Sequence, residues 1–236
     1  HSRASCLRYG LLTRYIMNSK LASLSRKGFT LMEMMVVLVI IGILSSALMP
    51  AINKALDSAK MTASERNMTK MFQDLIMYRT NGGGTTWPRE NGPEFLLAPW
   101  RAKIFEHTPK NADVYFSPSL PFEEIVMEKD LDIVDYLDGP IGAYGEPNVI
   151  SYAGFTMDGD SSVRKALNRS PGSITIASDS EWVHRSAIIY MRGDGAVARY
   201  PALEIEEDTG LEFDSEEIFA PGPGCGIPEL ETVSSN

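Results

Sequence analysis

The segment Arg26–Pro50, RKGFTLMEMMVVLVIIGILSSALMP, decides how the rest of the chain must be organised. Residues 34–49 are sixteen consecutive residues without a charge, and the 24 residues of Phe29–Ile52 hold one charged residue, Glu33. A helix of that length extends for about 36 Å, which is enough to cross the hydrocarbon core of a bilayer. We therefore expect residues 29–52 to form a transmembrane helix.

The residues that precede this helix are basic. Residues 1–28 contain six Lys or Arg residues and no acid, which is typical of a targeting segment. The first residue is His1 and the first methionine is Met17, so we interpret residues 1–28 as a leader with its natural start at Met17. Because Arg26 and Lys27 flank the apolar run, the positive-inside rule predicts a cytoplasmic N-terminus and a periplasmic C-terminal domain.

The apolar residues become periodic beyond Pro50. They recur at helical spacing while charged and amide side chains fill the other positions, which predicts an amphipathic continuation of the helix. Glycines 82–84 end the pattern, so we expect one long helix over residues 29–80 whose second half packs against another part of the chain. The predicted apolar positions are Ile52, Ala55, Leu56, Ala59, Ala63, Met68, Phe72, Leu75 and Ile76.

The rest of the chain is turn-rich and mixed. We predict a globular α+β domain over residues 85–219, in which a small antiparallel sheet packs on the long helix, and a flexible tail over the Gly- and Pro-rich residues 220–236. The predicted strands are Asp113–Phe116, Val149–Phe155, Ser173–Ala177, Ala187–Met191 and Ala196–Tyr200. The predicted short helices are Glu123–Lys129 and Ser161–Asn168.

Composition and charge exclude several classes of function. The 236 residues are 44% apolar, which excludes wholesale disorder, and the formal net charge of -9 argues against nucleic acid as the main partner. Loss of residues 1–28 removes six basic residues and moves the net charge to -15. The two cysteines, Cys6 and Cys225, are too few for a disulfide framework, and Cys225 has no partner once Cys6 leaves with the leader.

The order of residues at the start of the apolar run is specific. Two basic residues, Gly28, Phe29, and Glu33 ahead of a long apolar stretch resemble the class III signal of type IV pilins and type II secretion pseudopilins. The resemblance implies that a prepilin peptidase cuts between Gly28 and Phe29 and that Phe29 becomes N-methylated. It also implies that Glu33 pairs with the N-terminal amine of a neighbouring subunit, and that Pro50 is the site of a helix kink. A carboxylate in an apolar helix is costly unless it is paired, which agrees with that role.

The same resemblance implies a structural protein that is not an enzyme and binds no cofactor. Its partners would be the prepilin peptidase, copies of itself and other pilin-like subunits, an inner-membrane assembly platform and the membrane. The alternative is a minor pilin or adhesin whose globular domain binds a polymer, a surface or a secreted substrate. A secretory signal peptide cut near Ser45–Ala47 and a plain single-pass anchor are two further interpretations, and neither uses Gly28, Phe29 or Glu33.

A second resemblance lies near the end of the chain. His184 is followed by nine residues and then by Asp194-Gly195, the H-x9-DG pattern of a large group of prepilin-like proteins. The chain lacks the second histidine that often follows in that group, and about forty residues extend beyond the motif. Because Asp-Gly supplies left-handed residues, Arg192–Gly195 predicts a hairpin turn. We expect His184 and Asp194 to serve in capping and hairpin geometry.

Two groups of residues are weaker candidates, one for a calcium site and one for a hydrolytic site. Asp158-Gly159-Asp160 alternate as at the start of a calcium loop, but the later Gly and Glu of an EF-hand are missing, so a solvated turn and a calcium ligand both stay open. Asp179 and His184 could form a hydrolytic triad with Ser178 or Ser186, but no nucleophile elbow accompanies them. We therefore expect no enzymatic activity.

Overall fold

The computed structural model describes residues 29–81, 86–126, 131–140, 150–156, 161–212 and 219–235. The chain divides into two units, His1–Leu48 and Met49–Asn236. The predicted leader with Gly28, the three glycines at 82–84 and the calcium candidate Asp158–Asp160 lie outside the described residues.

Helix α1 comprises Leu31–Asn81 and confirms the long N-terminal helix that the sequence predicts. Among the described residues it is the one helix that is long and apolar enough to cross a membrane. The helix continues on both sides of Pro50, which lies inside it, so a kink at that residue stays a prediction. All residues from Phe29 to Leu56 are exposed.

The second part of α1 buries one face. Its buried residues, spaced three or four apart as a helical stripe requires, are Met61, Ser64, Met68, Met71, Asp74 and Leu75. The packed face therefore begins at Met61, whereas the apolar pattern predicts that it begins near Ile52. Ile52 and Leu56 are about half exposed and extend the apolar surface of the first part of the helix.

Five strands form one antiparallel sheet in the order β4-β3-β2-β1-β5. Their bounds are Tyr152–Phe155 (β1), Thr175–Asp179 (β2), Ala187–Arg192 (β3), Val197–Pro201 (β4) and Val233–Ser234 (β5). Strands β1 to β4 agree with four of the predicted strands within a few residues. The sheet and α1 together confirm the predicted α+β architecture with a long N-terminal helix packed on a small antiparallel sheet.

Six shorter helices complete the second unit within the described residues. They are Pro93–Arg101 (α2), Pro109–Ala112 (α3), Phe122–Ile125 (α4), Ile133–Asp138 (α5), Ser161–Arg169 (α6) and Ala202–Thr209 (α7). The predicted strand Asp113–Phe116 is wrong, because Asp113–Tyr115 form a 3-10 turn that continues α3. Pro109 occupies the first turn of α3 and the hydroxyl of Thr108 accepts a hydrogen bond from the Asn111 amide, which together start a helix there.

Side chains of β3 point alternately to the two faces of the sheet, and each face has its own hydrophobic cluster. Ala187, Ile189 and Met191 pack in the main core, which includes the buried methionines of α1. Ile188 and Tyr190 pack in a second cluster, whose other members are Trp182, Ile205 of α7, Phe219, Ile227 and Leu230. The sheet is therefore covered by α1 on one face and by the C-terminal residues on the other.

The last residues of the chain are part of this covering layer. The prolines and glycines after Ala220 predict a flexible tail, but Pro228–Leu230 form a 3-10 turn and Val233 of β5 pairs with Phe155 of β1. Ile227, Leu230 and Val233 are all fully buried. Ile227 and Leu230 gain burial in the second cluster and Val233 gains it within β5, which outweighs the loose composition.

Candidate functional site

The N-terminal end of α1 carries a capping box. The hydroxyl of Thr30 accepts a hydrogen bond from the Glu33 amide at 3.2 Å, and Glu33 Oε2 accepts bonds from the amide and hydroxyl of Thr30 at 2.8 and 2.9 Å. Two amide donors at the start of the helix are thereby satisfied by side chains. Glu33 thus has a capping role beside the assembly role that the resemblance implies, and the pattern Thr-x-x-Glu ahead of an apolar run is the sequence signal for it.

The helix that follows is apolar on every side. Phe29 is 77% exposed, and the large apolar side chains from Leu31 to Leu56 are exposed on all sides of the helix. A helix that is hydrophobic all round belongs in a bilayer or in the interior of an assembly. An exposed apolar surface of this extent marks an interaction surface.

In the second unit, His184 lies at the centre of a polar cluster between α1 and the sheet. Its side chain is fully buried in the loop between β2 and β3. Ser119 Oγ lies 3.1 Å from Nδ1, and Ser64 Oγ of α1 lies 3.4 Å from Nε2. Ser64 is also hydrogen-bonded to Ser117 at 2.8 Å. The histidine thus joins α1 to the loop that precedes α4.

Two carboxyl groups flank the histidine. Asp57 Oδ1 of α1 lies 3.7 Å from Nδ1, and Asp179 Oδ2 of β2 lies 3.8 Å from Nε2. Asp57 also accepts hydrogen bonds from the amides of Arg185 and Ser186, both at 3.2 Å, and from the Ser186 hydroxyl at 2.6 Å. Asp57 therefore anchors α1 to the chain that enters β3.

Burial sets the protonation of this cluster. Asp179 accepts the Ile189 amide at 2.8 Å, while its Oδ1 has no hydrogen-bonding partner among the described residues. Burial raises the pKa of Asp179 to about 8 and lowers the pKa of His184 to about 4. Both groups are therefore neutral at pH 7, and the hydrogen bonds of His184 are those of a neutral imidazole.

This geometry differs from the hydrolytic triad considered for Asp179 and His184. The hydroxyl of Ser178 donates to the backbone carbonyl of Asp179, and the hydroxyl of Ser186 donates to Asp57. The serines that contact the histidine are Ser64 and Ser119. A protonated Asp179 also lacks the negative charge that would orient and stabilise a catalytic imidazolium.

The other end of the H-x9-DG motif is a hairpin turn. The Gly195 amide donates to the Arg192 carbonyl at 2.9 Å, and Asp194 Oδ1 accepts the Ala196 amide at 3.0 Å. Gly195 has a φ of +87°, the left-handed conformation that the sequence predicts for this turn. His184 and Asp194 lie at opposite ends of β3, so the motif does not bring them into one site.

The structure tests metal binding only for the residues that it describes. Within the described residues no group of three or more His, Cys, Asp or Glu side chains is arranged to hold a metal ion. The calcium candidate Asp158–Asp160 lies outside those residues, so calcium binding stays a prediction.

Comparison with known proteins identifies the N-terminal motif. Residues 24–49 match the family model described as "Prokaryotic N-terminal methylation motif". The match includes Gly28, Phe29 and Glu33, and this prepilin-type cleavage and methylation signal is typical of type IV pilins and pseudopilins. The motif implies processing by a prepilin peptidase, and together with α1 it is typical of a membrane-anchored pilin-like protein. No curated protein and no solved structure matches the chain.

Proposed function

We propose that this chain is a structural subunit of a type II secretion pseudopilus or type IV pilus-like filament, processed between Gly28 and Phe29. The observation that carries the proposal is the exposed apolar segment of residues 29–56, most of which lies within the matched motif of residues 24–49. The second unit covers both faces of its sheet, so among the described residues the large apolar surface left for a partner is that of the helix. The precursor spans the inner membrane once, with the N-terminus cytoplasmic and the globular unit periplasmic.

Assembly moves this helix from lipid into the interior of a filament. Lipid already covers the apolar side chains, so the hydrophobic effect gives little net gain at this step. The driving force is the packing of helix on helix and the pairing of charges that lipid leaves unpaired. Glu33 and the amine of Phe29 in a neighbouring subunit are such a pair, and removal of either charge leaves the other buried alone.

The capping box is compatible with this pairing. A carboxylate has about four acceptor positions, and the two hydrogen bonds from Thr30 occupy two of them at Oε2. Within the described residues the hydrogen bonds of the Glu33 carboxylate are at Oε2, which leaves Oε1 to accept an amine. The box thus orients the carboxylate at the start of the helix, where a neighbouring N-terminus can reach it.

Two variants of the full-length protein test processing and assembly separately. Gly28→Ile should prevent cleavage, because a large side chain at that position blocks the peptidase; intact mass of the membrane-extracted protein gives the result. Glu33→Ala should leave cleavage and methylation at Phe29 largely intact and abolish incorporation into sheared filaments. Lys54→Ala, which also removes a charge from the exposed part of α1, is the matched control. An unchanged filament yield for Glu33→Ala contradicts the assembly role, and a shortened Gly28→Ile protein contradicts the cleavage site.

The number and position of copies of this protein in the filament distinguish a structural subunit from a minor pilin or adhesin. Immunogold labelling along the whole filament supports a structural subunit. Labelling confined to one end, with filaments still formed when the gene is deleted, supports a minor pilin or adhesin instead.

A further inference from the structure

The H-x9-DG segment has no part in the proposed function, yet both of its ends contact α1. At the start of β3, His184 contacts Ser64 of α1. At the end of β3, Gly195 faces Phe72 of α1, and a Cβ atom added at Gly195 would lie 2.5 Å from Cε1 of the phenylalanine ring. The motif therefore places a residue that contacts the helix just before β3 and another just after it.

We propose that the H-x9-DG segment docks α1 on the sheet, with His184 as a hydrogen-bonded clamp at one end of β3 and Gly195 as the seat for Phe72 at the other. The spacing of the motif agrees with this role. The six residues of β3 extend for about 17 Å. The helix rises about 12 Å from Ser64 to Phe72 and about 22 Å from Asp57 to Phe72. Six of the nine residues between His184 and Asp194 form β3, and the short connections at its two ends carry the groups that contact the helix.

The clamp joins several elements at once. Asp57 and Ser64 belong to α1, Ser119 to the loop before α4, and Asp179 to β2. The other charged groups that act on His184 are Lys60 and Glu65 of α1 and Arg199 of β4, and Arg199 forms an ion pair with Glu65 at 2.6 Å. A neutral histidine satisfies the two serines without placing a buried charge between the two aspartates.

The clamp has a signature in the pH dependence of stability. The pKa of His184 falls from 6.5 to about 4 on folding, so the folded state binds fewer protons and its stability decreases as the pH falls through this range. The pKa of Asp179 rises from 3.8 to about 8, so stability decreases as the pH rises through that range. The two pH dependences of stability oppose each other between pH 4 and 6.5. A variant that lacks one of the two groups should therefore show the pH dependence that the other group causes.

An experiment can distinguish the loss of the Phe72 contact at Gly195 from the backbone strain that a side chain causes there. Gly195 and Gly210 have positive φ angles of +87° and +72°, so alanine at either position is strained. A Cβ atom at Gly210 would meet nothing within 4 Å, whereas at Gly195 it would meet the ring of Phe72. Gly210→Ala is therefore the matched control for Gly195→Ala.

Hydrogen exchange of the full-length protein in detergent micelles tests the docking at pH 7. His184→Ala should accelerate exchange of the α1 amides at 57–68 roughly tenfold relative to the amides of the sheet, because the clamp holds that part of the helix. His184→Gln, which keeps polar groups at the site, should restore part of the protection. Gly195→Ala should accelerate exchange at residues 68–76, and Gly210→Ala should not.

Ile188→Val gives the control for general destabilisation, because Ile188 lies on β3 but faces away from α1. It should lower the Tm without a selective change in α1. If the His184 and Gly195 variants raise exchange uniformly, as Ile188→Val does, or leave α1 unchanged, the docking proposal is wrong.

Thermal unfolding between pH 4.5 and 6.5 tests the clamp itself. Relative to the unmodified protein, the Tm of His184→Gln should fall as the pH rises, and the Tm of Asp179→Asn should rise. Two variants that both follow the unmodified protein contradict a neutral clamp. If Asp179→Asn does not fold, the His184 ring resonances of the unmodified protein decide the question: titration near pH 4 supports the clamp, and titration near pH 6.5 overturns it.

Discussion

The two parts of α1 have the same backbone conformation but opposite relations to solvent. From Leu31 to Leu56 every side chain is exposed, although nearly all of them are apolar. From Met61 onward one face is buried, and two of its buried residues, Ser64 and Asp74, are polar. Apolar content therefore does not decide which part of the helix is buried in the subunit. The presence of a complementary surface in the same chain does.

Polar groups differ between the two parts in the same way. Glu33 is hydrogen-bonded to Thr30, three residues away. Ser64 is hydrogen-bonded to Ser117, 53 positions away. In the first part of α1 the chain satisfies a polar group by local capping, and in the second part by tertiary contacts. The first part is therefore complete as a helix and leaves its apolar surface to a membrane or an assembly.

The largest expected effect comes from truncation in the packed part. Met68→Ala should lower the free energy of unfolding by about 2–5 kcal/mol, because Met68 is fully buried in the main core. Leu38→Ala, the matched change in the exposed part, should alter it by less than about 0.5 kcal/mol. Thermal or urea unfolding of the full-length protein in micelles gives both values. Equal losses of unfolding free energy in Met68→Ala and Leu38→Ala would contradict the distinction between the packed and the exposed part of α1.

A charge placed in the exposed part should impair membrane insertion and leave the stability of the second unit unchanged. Leu38→Lys places a cation near the middle of the apolar run and should disfavour membrane insertion by about 2.5–3.5 kcal/mol. The unfolding of the second unit should stay unchanged, because Leu38 is exposed in the subunit. Carbonate extraction of membranes measures insertion. A lowered Tm for this variant would contradict the exposure of Leu38 in the subunit.

The buried carboxyl of the packed part predicts a smaller effect that depends on pH. Burial raises the pKa of Asp74 despite its ion pair with Lys70, so the folded state holds its proton more tightly and stability is lost as the pH rises through the folded pKa. Asp74→Asn should reduce that loss. Glu65→Gln, at a partly exposed ion pair of the same helix, should change stability by less than about 1 kcal/mol. Urea unfolding at a series of pH values from the ordinary pKa of 3.8 upward compares the two variants. Identical pH slopes for Asp74→Asn and the unmodified protein would count against the effect of burial.

The smallest expected effect is at the cap of the exposed part. Thr30→Val removes the hydroxyl of the capping box and should weaken the first turn of α1 by about 1 kcal/mol. The Tm of the second unit should not change. Faster amide exchange confined to residues 31–34, measured in micelles, supports the cap; unchanged exchange there shows that the helix starts without it.

Features that depend on neighbouring residues could be predicted from the sequence. The three strands around Asp179, Ala187 and Tyr200 follow from β-branched and aromatic runs, and the turn at Gly195 follows from Asp-Gly. The strand predicted at Asp113–Phe116 is wrong because Thr108 and Pro109 start a helix just before it, a local signal that the apolar pattern obscured.

Other features had no local signal. Nothing near His184 in the sequence indicates that Ser64 and Ser119 would bond it, or that Asp57 would anchor the next two residues. The burial of Ile227 and Leu230 depends on a face of the sheet that only the folded chain presents.

The sequence alone determined the membrane-seeking helix, the cleavage and methylation motif and the β-rich α+β domain, because charge, hydropathy and turn chemistry act over a few neighbouring residues. Only the tertiary structure decided that α1 becomes buried at Met61 and that His184 is a neutral clamp. Those properties arise from groups such as Ser64 and His184, which are 120 positions apart. Burial and the pKa values that follow from it depend on which distant groups folding brings together.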